Sequence, residues 1–351
     1  MVVAGASFAG LAAAQRVHGR VALIDKDPIG AGVTSACGAP VSIVKAMGAE
    51  SSIQQIHDHL VIYTERSRAV WPLPESFCTF DYKAFCELAF ARTRAEFIHA
   101  TVLGRSGSTV RTSGGEVQGR FLIDATGWRA ALAAGPASPY VNRRWMAFGI
   151  ETEVEREFEP GLHFYFLPEI RDGYAWAFPC DGRVRLGVLS YLGRSKLHHA
   201  LDNFLDRFGV SAERVHGGFL ASGLRAPVFD GVFVTGDAAG QCLPVTGEGI
   251  RTAASAGFAC GDLVQRMLDG ILTPDEAAVA YARLVAGERR RVRALLWTNI
   301  ALLLFPQSLI GEAARLFGRP GPLRFFMHHY LGILRQPISW DTLPELSTRV
   351  S

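Results

Sequence analysis

Three segments carry residue types whose spacing permits chemistry. The stretch "GASFAG" sets Gly5, Ser7 and Gly10 in the pattern of a glycine-rich strand-to-helix turn. The free backbone amides of such a turn face a pyrophosphate. A middle glycine would let the phosphate approach the backbone; Ser7 puts a Cβ and a hydroxyl there instead. Asp25 ends the next apolar run, "RVALID", where an acidic side chain binds ribose hydroxyls. The second segment is "VFVTGDAAGQCLPVTGEGI", residues 232–250. A buried strand ends there at Gly236 and Asp237; small residues and Pro244 follow, and Gly247 and Gly249 precede a helix starting at Ile250. Small, kinked backbone of this kind permits close approach of a large planar ligand, and helix amides support negative charge upon it. In the third segment, "GYAWAFP", residues 173–179, Tyr174, Trp176 and Phe178 recur with period two. That period places all three on one strand face, either as a core face or as the wall of an apolar slot.

These residues need elements to hold them. "VVAG", "SFAGLAAAQRVHG" and "RVALIDKDP" read as strand, helix and strand, a β-α-β unit in the first thirty residues. "DYKAFCELAFARTRAEFIHATVLG" reads as helix then strand, and "FLIDATGW" as a buried strand with a turn. "MAFGIETEVE", "LHFYFLP", "GYAWAFPC" and "RVRLGVLSY" read as consecutive antiparallel strands, with a further pair in "VIYTERSRAVWPLP". A long helix fills "GEGIRTAASAGFACGDLVQRML", and the sequence after Pro274 is helical and amphipathic, broken near Pro306 and at "GRPGP". The expected class is therefore α/β. A discontinuous Rossmann-like nucleotide-binding domain (1–57, 80–143 and 225–272) is interrupted by a mostly antiparallel β-sheet substrate domain (58–79 and 144–224), and a helical region (273–351) follows.

Composition removes several classes. A formal charge of +3 over 351 residues is too mild for a nucleic-acid partner. The six cysteines contain no C-x-x-C, and no histidine cluster has metal spacing, so no metal site is expected. Scattered thiols suit a reducing, cytoplasmic setting. No signal peptide is expected ahead of the first strand, although that strand is short enough to leave room for a few residues upstream. No apolar run reaches the roughly 18 residues that span a bilayer. "ALLWTNIALLLF" behind the basic "ERRRVR" reads either as a buried core helix with a solvated start or as a helix lying on a membrane surface. The pairs His198–His199 and His328–His329 read as solvated helix faces.

The Gly5-x-Ser7-x-x-Gly10 turn with Asp25, the "DATG" of Asp124 to Gly127, and "GDAAG…P…GEGI" together resemble the FAD-binding set of the para-hydroxybenzoate-hydroxylase-type flavoproteins. Within that superfamily, "SACG" (Ser35 to Gly38) and "YAWAFP" followed by Gly187 resemble the geranylgeranyl reductase family. The resemblance implies FAD as cofactor, with Gly5, Ser7, Gly10, Asp25, Lys26, Asp124, Gly127, Gly236, Asp237, Pro244, Gly247, Gly249 and Ile250 around it. Asp25 would hold the adenosine ribose, Asp237 the ribityl-pyrophosphate region, and Pro244 to Ile250 the isoalloxazine. Tyr174, Trp176 and Phe178 would wall a substrate slot, with Tyr174, Trp176 and Cys37 the catalytic candidates. Cys37 reads equally as a proton relay near the flavin and as a buried structural thiol. The sequence departs from the pattern at Ser7, at Cys37-Gly38-Ala39 where the family has a "CGG"-like run, and at Tyr82, followed by Lys83, where the superfamily usually has an arginine. Arg92 and Arg105 are the candidate substitutes for that arginine.

The implied activity is reduction of carbon–carbon double bonds in an isoprenoid or other apolar substrate, with NAD(P)H or a ferredoxin-like protein as electron donor and peripheral membrane contact as an open alternative. Two other readings stand beside it. One is a flavin monooxygenase or halogenase, for which Lys45 is the candidate cavity lysine; the other is a nucleotide- or lipid-binding carrier that kept the fold.

Overall fold

The computed structural model describes residues 1–134 and 140–335. The expected helical tract beyond residue 335, and residues 135–139 of the middle segment, lie outside the described residues. A first sheet collects β1 (Val2–Ala4), β2 (Ala22–Asp25), β6 (Glu96–His99), β10 (Leu122–Asp124), β16 (Val228–Phe229) and β17 (Val232–Val234) in the order β16-β17-β10-β1-β2-β6. Its ladders are parallel except for the edge pair β16–β17. The central strands are apolar runs buried on both faces, as a covered parallel sheet requires.

Two helices cover one side by backbone contact. Helix α1 (Phe8–Gln15) is rich in small residues, and α5 (Ile250–Leu268) turns Gly257 and Gly261 toward it. A Cβ on either glycine would lie 2.2 Å from the Ala9 carbonyl oxygen or 2.4 Å from that of Ala13. The "GFACG" run of α5 is thus the surface that lets the two helices close on each other. Helix α3 (Tyr82–Ala91) is N-capped by the Asp81 carboxylate, which accepts from the Ala84 amide.

The second sheet has eight strands. They are β3 (Gly38–Pro40), β4 (Ile53–Thr64), β5 (Ser67–Phe80), β11 (Met146–Glu155), β12 (Leu162–Phe166), β13 (Gly173–Pro179), β14 (Arg183–Ser190) and β15 (Val215–Ala221), ordered β15-β11-β14-β13-β12-β4-β5-β3. Strands β12, β13 and β14 form the expected meander. The remainder differs from a consecutive arrangement: β11 pairs with β14 and β15, and β12 runs parallel to β4. Alternating polarity specifies a strand's faces and not its neighbour. A small third sheet of β7 (Val102–Ser106), β8 (Thr109–Thr112) and β9 (Gly115–Gln118) stands apart.

Helices α6 (Pro274–Leu304), α7 (Gln307–Phe317) and α8 (Pro320–Leu331) follow the first sheet. A capping box between Thr273 and Glu276, with Pro274 at the first turn, starts α6. Trp71 of β5 donates its indole N–H to the Ala314 carbonyl at 2.8 Å, which seats α7 on the β4–β5 hairpin. No helix among the described residues is long and apolar enough to cross a membrane.

Candidate functional site

One cavity of about 1020 Å³ runs between the two sheets and under the last three helices. Its first end is made of turns. Gly5 to Ala9, Asp25, Lys26, Thr126 to Arg129, Gly236, Asp237 and the Val245–Ile250 segment line it. Gly5 has φ +102°, and a Cβ there would lie 2.1 Å from the Ala125 carbonyl oxygen, so two strand-to-helix turns meet at this residue. Gly10 is behind the wall, where its absent Cβ leaves space for the Gly5 carbonyl. Asp25 accepts from the Ala6 amide at 2.7 Å and the Asp27 amide at 3.0 Å, and this fixes the acid beside the turn. Lys26 pairs with Asp27.

Two of the three departures from the expected pattern touch each other. Tyr82, in the place of the expected arginine, donates its hydroxyl to Ser7 Oγ at 3.0 Å, and both line the cavity. Burial pushes the Tyr82 phenol well above its usual range, so it stays a donor. Neither proposed arginine substitute lines the cavity: Arg92 packs over Gly48, and Arg105 bonds Asp230 at 2.7 Å and the Leu132 carbonyl. Among the described residues, the arginine that does line it is Arg129, directly after "DATGW" and stacked on Trp128.

Asp124 and Pro244 are not among the lining residues. The buried Asp124 carboxylate accepts from the amides of Thr126, Leu132 and Ala133 and from the Thr126 hydroxyl, and so organises its own turn. Gly127 takes φ +73° within that turn. Asp237 does face the cavity; burial raises its carboxyl to about 6. Val245, a β-branched residue, adopts φ +73°, a costly conformation that surrounding bonds must hold. Those bonds come from the aromatic strands. Tyr174 donates to the Thr246 carbonyl and Tyr191 to the Val245 carbonyl. Gly247, at φ +66°, leaves room for the Tyr174 hydroxyl, 3.3 Å from where its Cβ would be. Arg251, buried beside Glu248, donates to the Leu331 and Ile333 carbonyls and ties the same segment to the end of α8.

The other end of the cavity is apolar. Leu60, Ile62, Trp71, Leu73 and Phe77 of the hairpin, Phe164 and Phe166 of β12, and Leu302, Phe317 and Phe326 of the helices line it with Tyr174, Trp176 and Phe178. Trp176 pairs across the sheet with Gly187, where a Cβ would lie 2.1 Å from the indole Cζ2. The motif glycine is therefore glycine because the indole lies over it. The indole N–H reaches beyond Gly187 to the next strand and donates to Glu151 Oε2 at 2.9 Å.

Glu151, absent from the sequence expectations, is 2% exposed and lines the cavity. Burial raises its carboxyl to about 7; Arg185 and the Trp176 bond oppose the shift, and Glu153 adds to it. Arg185 donates to Glu153, to Gln54 and, at 3.3 Å, to the Ala36 carbonyl next to Cys37. The sequence signal was the alternation Glu151, Glu153, Glu155 in β11 against Arg183 and Arg185 in β14, a cross-strand charge ladder that marks register. Cys37 is buried at φ +53°, with its Sγ donating to the Ser35 carbonyl. Burial pushes this thiol far up, so Cys37 is neutral. Gly38 beside it packs under Phe178. The two histidine pairs are exposed on α4 (His198–Asp206) and α8.

This is the fold of FAD-dependent oxidoreductases. The geranylgeranyl bacteriochlorophyll reductase-like protein of Thermoplasma acidophilum matches it with TM-score 0.79 at 19% identity, over 95% of this chain and 98% of that one. A flavin-dependent brominase matches with TM-score 0.70 at 14% identity, over 97% and 94%. No family model matches the sequence. Among curated proteins, the digeranylgeranylglycerophospholipid reductase of Methanocaldococcus jannaschii is 30% identical over 33% of this chain, and that of Thermoplasma volcanium is 26% identical over 51%. The matched stretches span 32% and 49% of those relatives. The sequence thus resembles digeranylgeranylglycerophospholipid reductases over a third to a half of its length.

Proposed function

We propose that the chain is a flavin-dependent reductase that saturates carbon–carbon double bonds of an isoprenoid substrate. The observation that carries this reading is the single continuous cavity, whose turn-lined end suits a dinucleotide and whose other end is walled by aromatic and aliphatic side chains. Gly5, Ser7, Asp25, Arg129, Asp237 and the Val245–Ile250 backbone would hold FAD; the close approach at Gly5 and the acid at the end of β2 fit such a ligand. When bound and reduced, FAD supplies a hydride equivalent. The remaining work falls to the protein. Tyr174 and Tyr191 hold the strained Val245–Gly247 turn in place, Trp176 and Phe178 keep water from the slot, and Cys37 presents a neutral thiol that packs rather than attacks. NAD(P)H or a ferredoxin-like protein would deliver the electrons.

The apolar end lies beneath α6–α8, and these helices expose Trp297, Leu304, Leu316, Phe317 and Phe325. Arg290, Arg293, Trp297 and Leu304 share one face of α6. A lipid surface is the proposed partner of this face, because the helices that would meet it also roof the slot its lipid would enter. Sedimentation with anionic vesicles, lost on replacing Trp297 and Leu304 by Ser, checks this contact.

The alternative, a monooxygenase or halogenase, shares the fold with the brominase. Lys45 is exposed on α2 (Val41–Ala46) and outside the lining, and Lys26, the lysine lining the cavity among the described residues, sits at the Asp25 end. The deciding experiment loads the chain with FAD, reduces it chemically without oxygen and adds a geranylgeranyl lipid. Mass spectrometry should find two hydrogens gained per bond reduced. Product that forms only with oxygen or halide would overturn the reductase reading, and a chain that never takes up FAD would favour the carrier.

A further inference from the structure

We propose that Glu151 is the acid of this cavity: a neutral carboxyl group that donates the proton for alkene saturation and regains it from water by way of His216. The inference rests on the reductase reading for the identity of the proton's acceptor, but the acid itself is a property of this chain. Saturating a double bond forms two C–H bonds and removes one π bond. A hydride equivalent from a reduced flavin, which is oxidised by two electrons, makes one C–H bond; the second requires a proton at the other carbon. Isolated alkenes accept hydride poorly, so a proton donor close to the slot and shielded from water is needed.

A row of side chains across the second sheet supplies such a donor. His216 of β15, Glu151 of β11, Gly187 of β14, Trp176 of β13 and Phe164 of β12 are successive cross-strand partners. Cross-strand partners share a face of the sheet, and Glu151, Trp176 and Phe164 all line the cavity. Gly187 leaves a gap in the row through which the Trp176 indole meets Glu151 Oε2. That bond orients the carboxyl and leaves Oε1 as its free atom. Buried Oε1 makes no hydrogen bond among the described residues. The nearest basic group is His216 Nε2, 3.5 Å away on a side chain 21% exposed. His216 Nδ1 is buried without a partner among the described residues, so Nε2 is the atom that would join the acid to solvent. Burial holds His216 below its usual range, so at neutral pH it can receive and pass on a proton without storing one.

The charged and titratable groups around Glu151 favour one exchangeable proton. Arg185 of β14 bonds Glu153 at 2.9 Å, so it reaches Glu151 through its field and not through a hydrogen bond. Glu153, on the same strand, disfavours a second negative charge. Cys37, facing from the loop before β3, is a neutral thiol and a far weaker acid. After donation, the Glu151 carboxylate is stabilised by Arg185 and by the Trp176 N–H until water reprotonates it through His216.

Two measurements test this. In the flavin-free protein, an infrared pH titration should show a protonated carboxyl lost with a midpoint near neutrality and absent from Glu151→Gln, a variant that keeps an acceptor for the indole. In the FAD-loaded protein, Glu151→Gln should lower single-turnover alkene reduction by about 100-fold or more while FAD affinity stays within about twofold of the parent. His216→Phe should leave the infrared band in place and enlarge the solvent isotope effect on turnover. A carboxyl ionised throughout the titration, or Glu151→Gln reducing alkenes at the parent rate, overturns the proposal. A parent protein inert toward every isoprenoid overturns the reductase reading and the donor role together, and the infrared titration then still decides whether Glu151 is the cavity's acid.

Discussion

Gly10 at the turn-lined end and Gly187 at the aromatic end are both glycine for lack of room, but different neighbours fill the space. Beside Gly10 the neighbour is backbone: a Cβ would lie 1.8 Å from the Gly5 carbonyl oxygen. Beside Gly187 it is a side chain, the Trp176 indole, at 2.1 Å. Backbone in a closed β-α-β unit has nowhere to move, whereas an indole can be trimmed or turned. The difference separates two ways of building a site. The first end is shaped by main-chain turns, with Gly5 and Gly127 at positive φ that side-chain-bearing residues rarely adopt. The second end is shaped by which side chains meet across a sheet.

That contrast can be broken experimentally. The largest effect should come from Gly10→Ala, which we expect to cost more than about 3 kcal/mol or to prevent folding, as read by urea denaturation; no second-site truncation should restore it. Gly187→Ala should cost about 1–3 kcal/mol. Here adding Trp176→Phe should recover most of the loss, a coupling that a double-mutant cycle measures. Rescue of Gly10→Ala, or none for Gly187→Ala, would erase the distinction.

A pH effect should follow from Glu151. Its folded carboxyl is raised to about 7 from an ordinary 4.5, so folding favours the neutral acid. The associated stability is fully present below pH 4.5 and is lost as pH rises through 7. Glu151→Gln should remove that decline, so the variant gains on the parent by about 1–3 kcal/mol at pH 8 relative to pH 4.5. Thermal unfolding across that range checks it, and parallel curves would count against a neutral buried acid. The smallest effect belongs to Tyr82→Phe. Losing the bond to Ser7 should cost about 0.5–1.5 kcal/mol and weaken FAD binding by about two- to tenfold, measured by flavin fluorescence.

Much of the first end was legible in the sequence. "GASFAG", the acid ending "RVALID", and "GDAAG" with "GEGI" state their conformation locally, because a turn's conformation depends on residues a few places apart. The strand face of Tyr174, Trp176 and Phe178 was legible for the same reason. The roles of these side chains were not. Tyr174 reads as a cavity wall, yet its hydroxyl also holds the Thr246 carbonyl, 72 residues away. Ser7 and Tyr82 read as two separate defects, and they form one hydrogen bond between residues 75 apart.

The sequence by itself determined the class of fold, the glycine-rich turns and the aromatic strand, since each follows from short-range periodicity and from the conformations glycine alone tolerates. Only the tertiary structure decided that β11 lies between β14 and β15, and with it that Glu151 meets Trp176 and His216. An alternating Glu in a strand looks the same whether its face meets water or a cavity. Its ionisation and its use depend on burial and on partners that the folded sheet alone brings within reach.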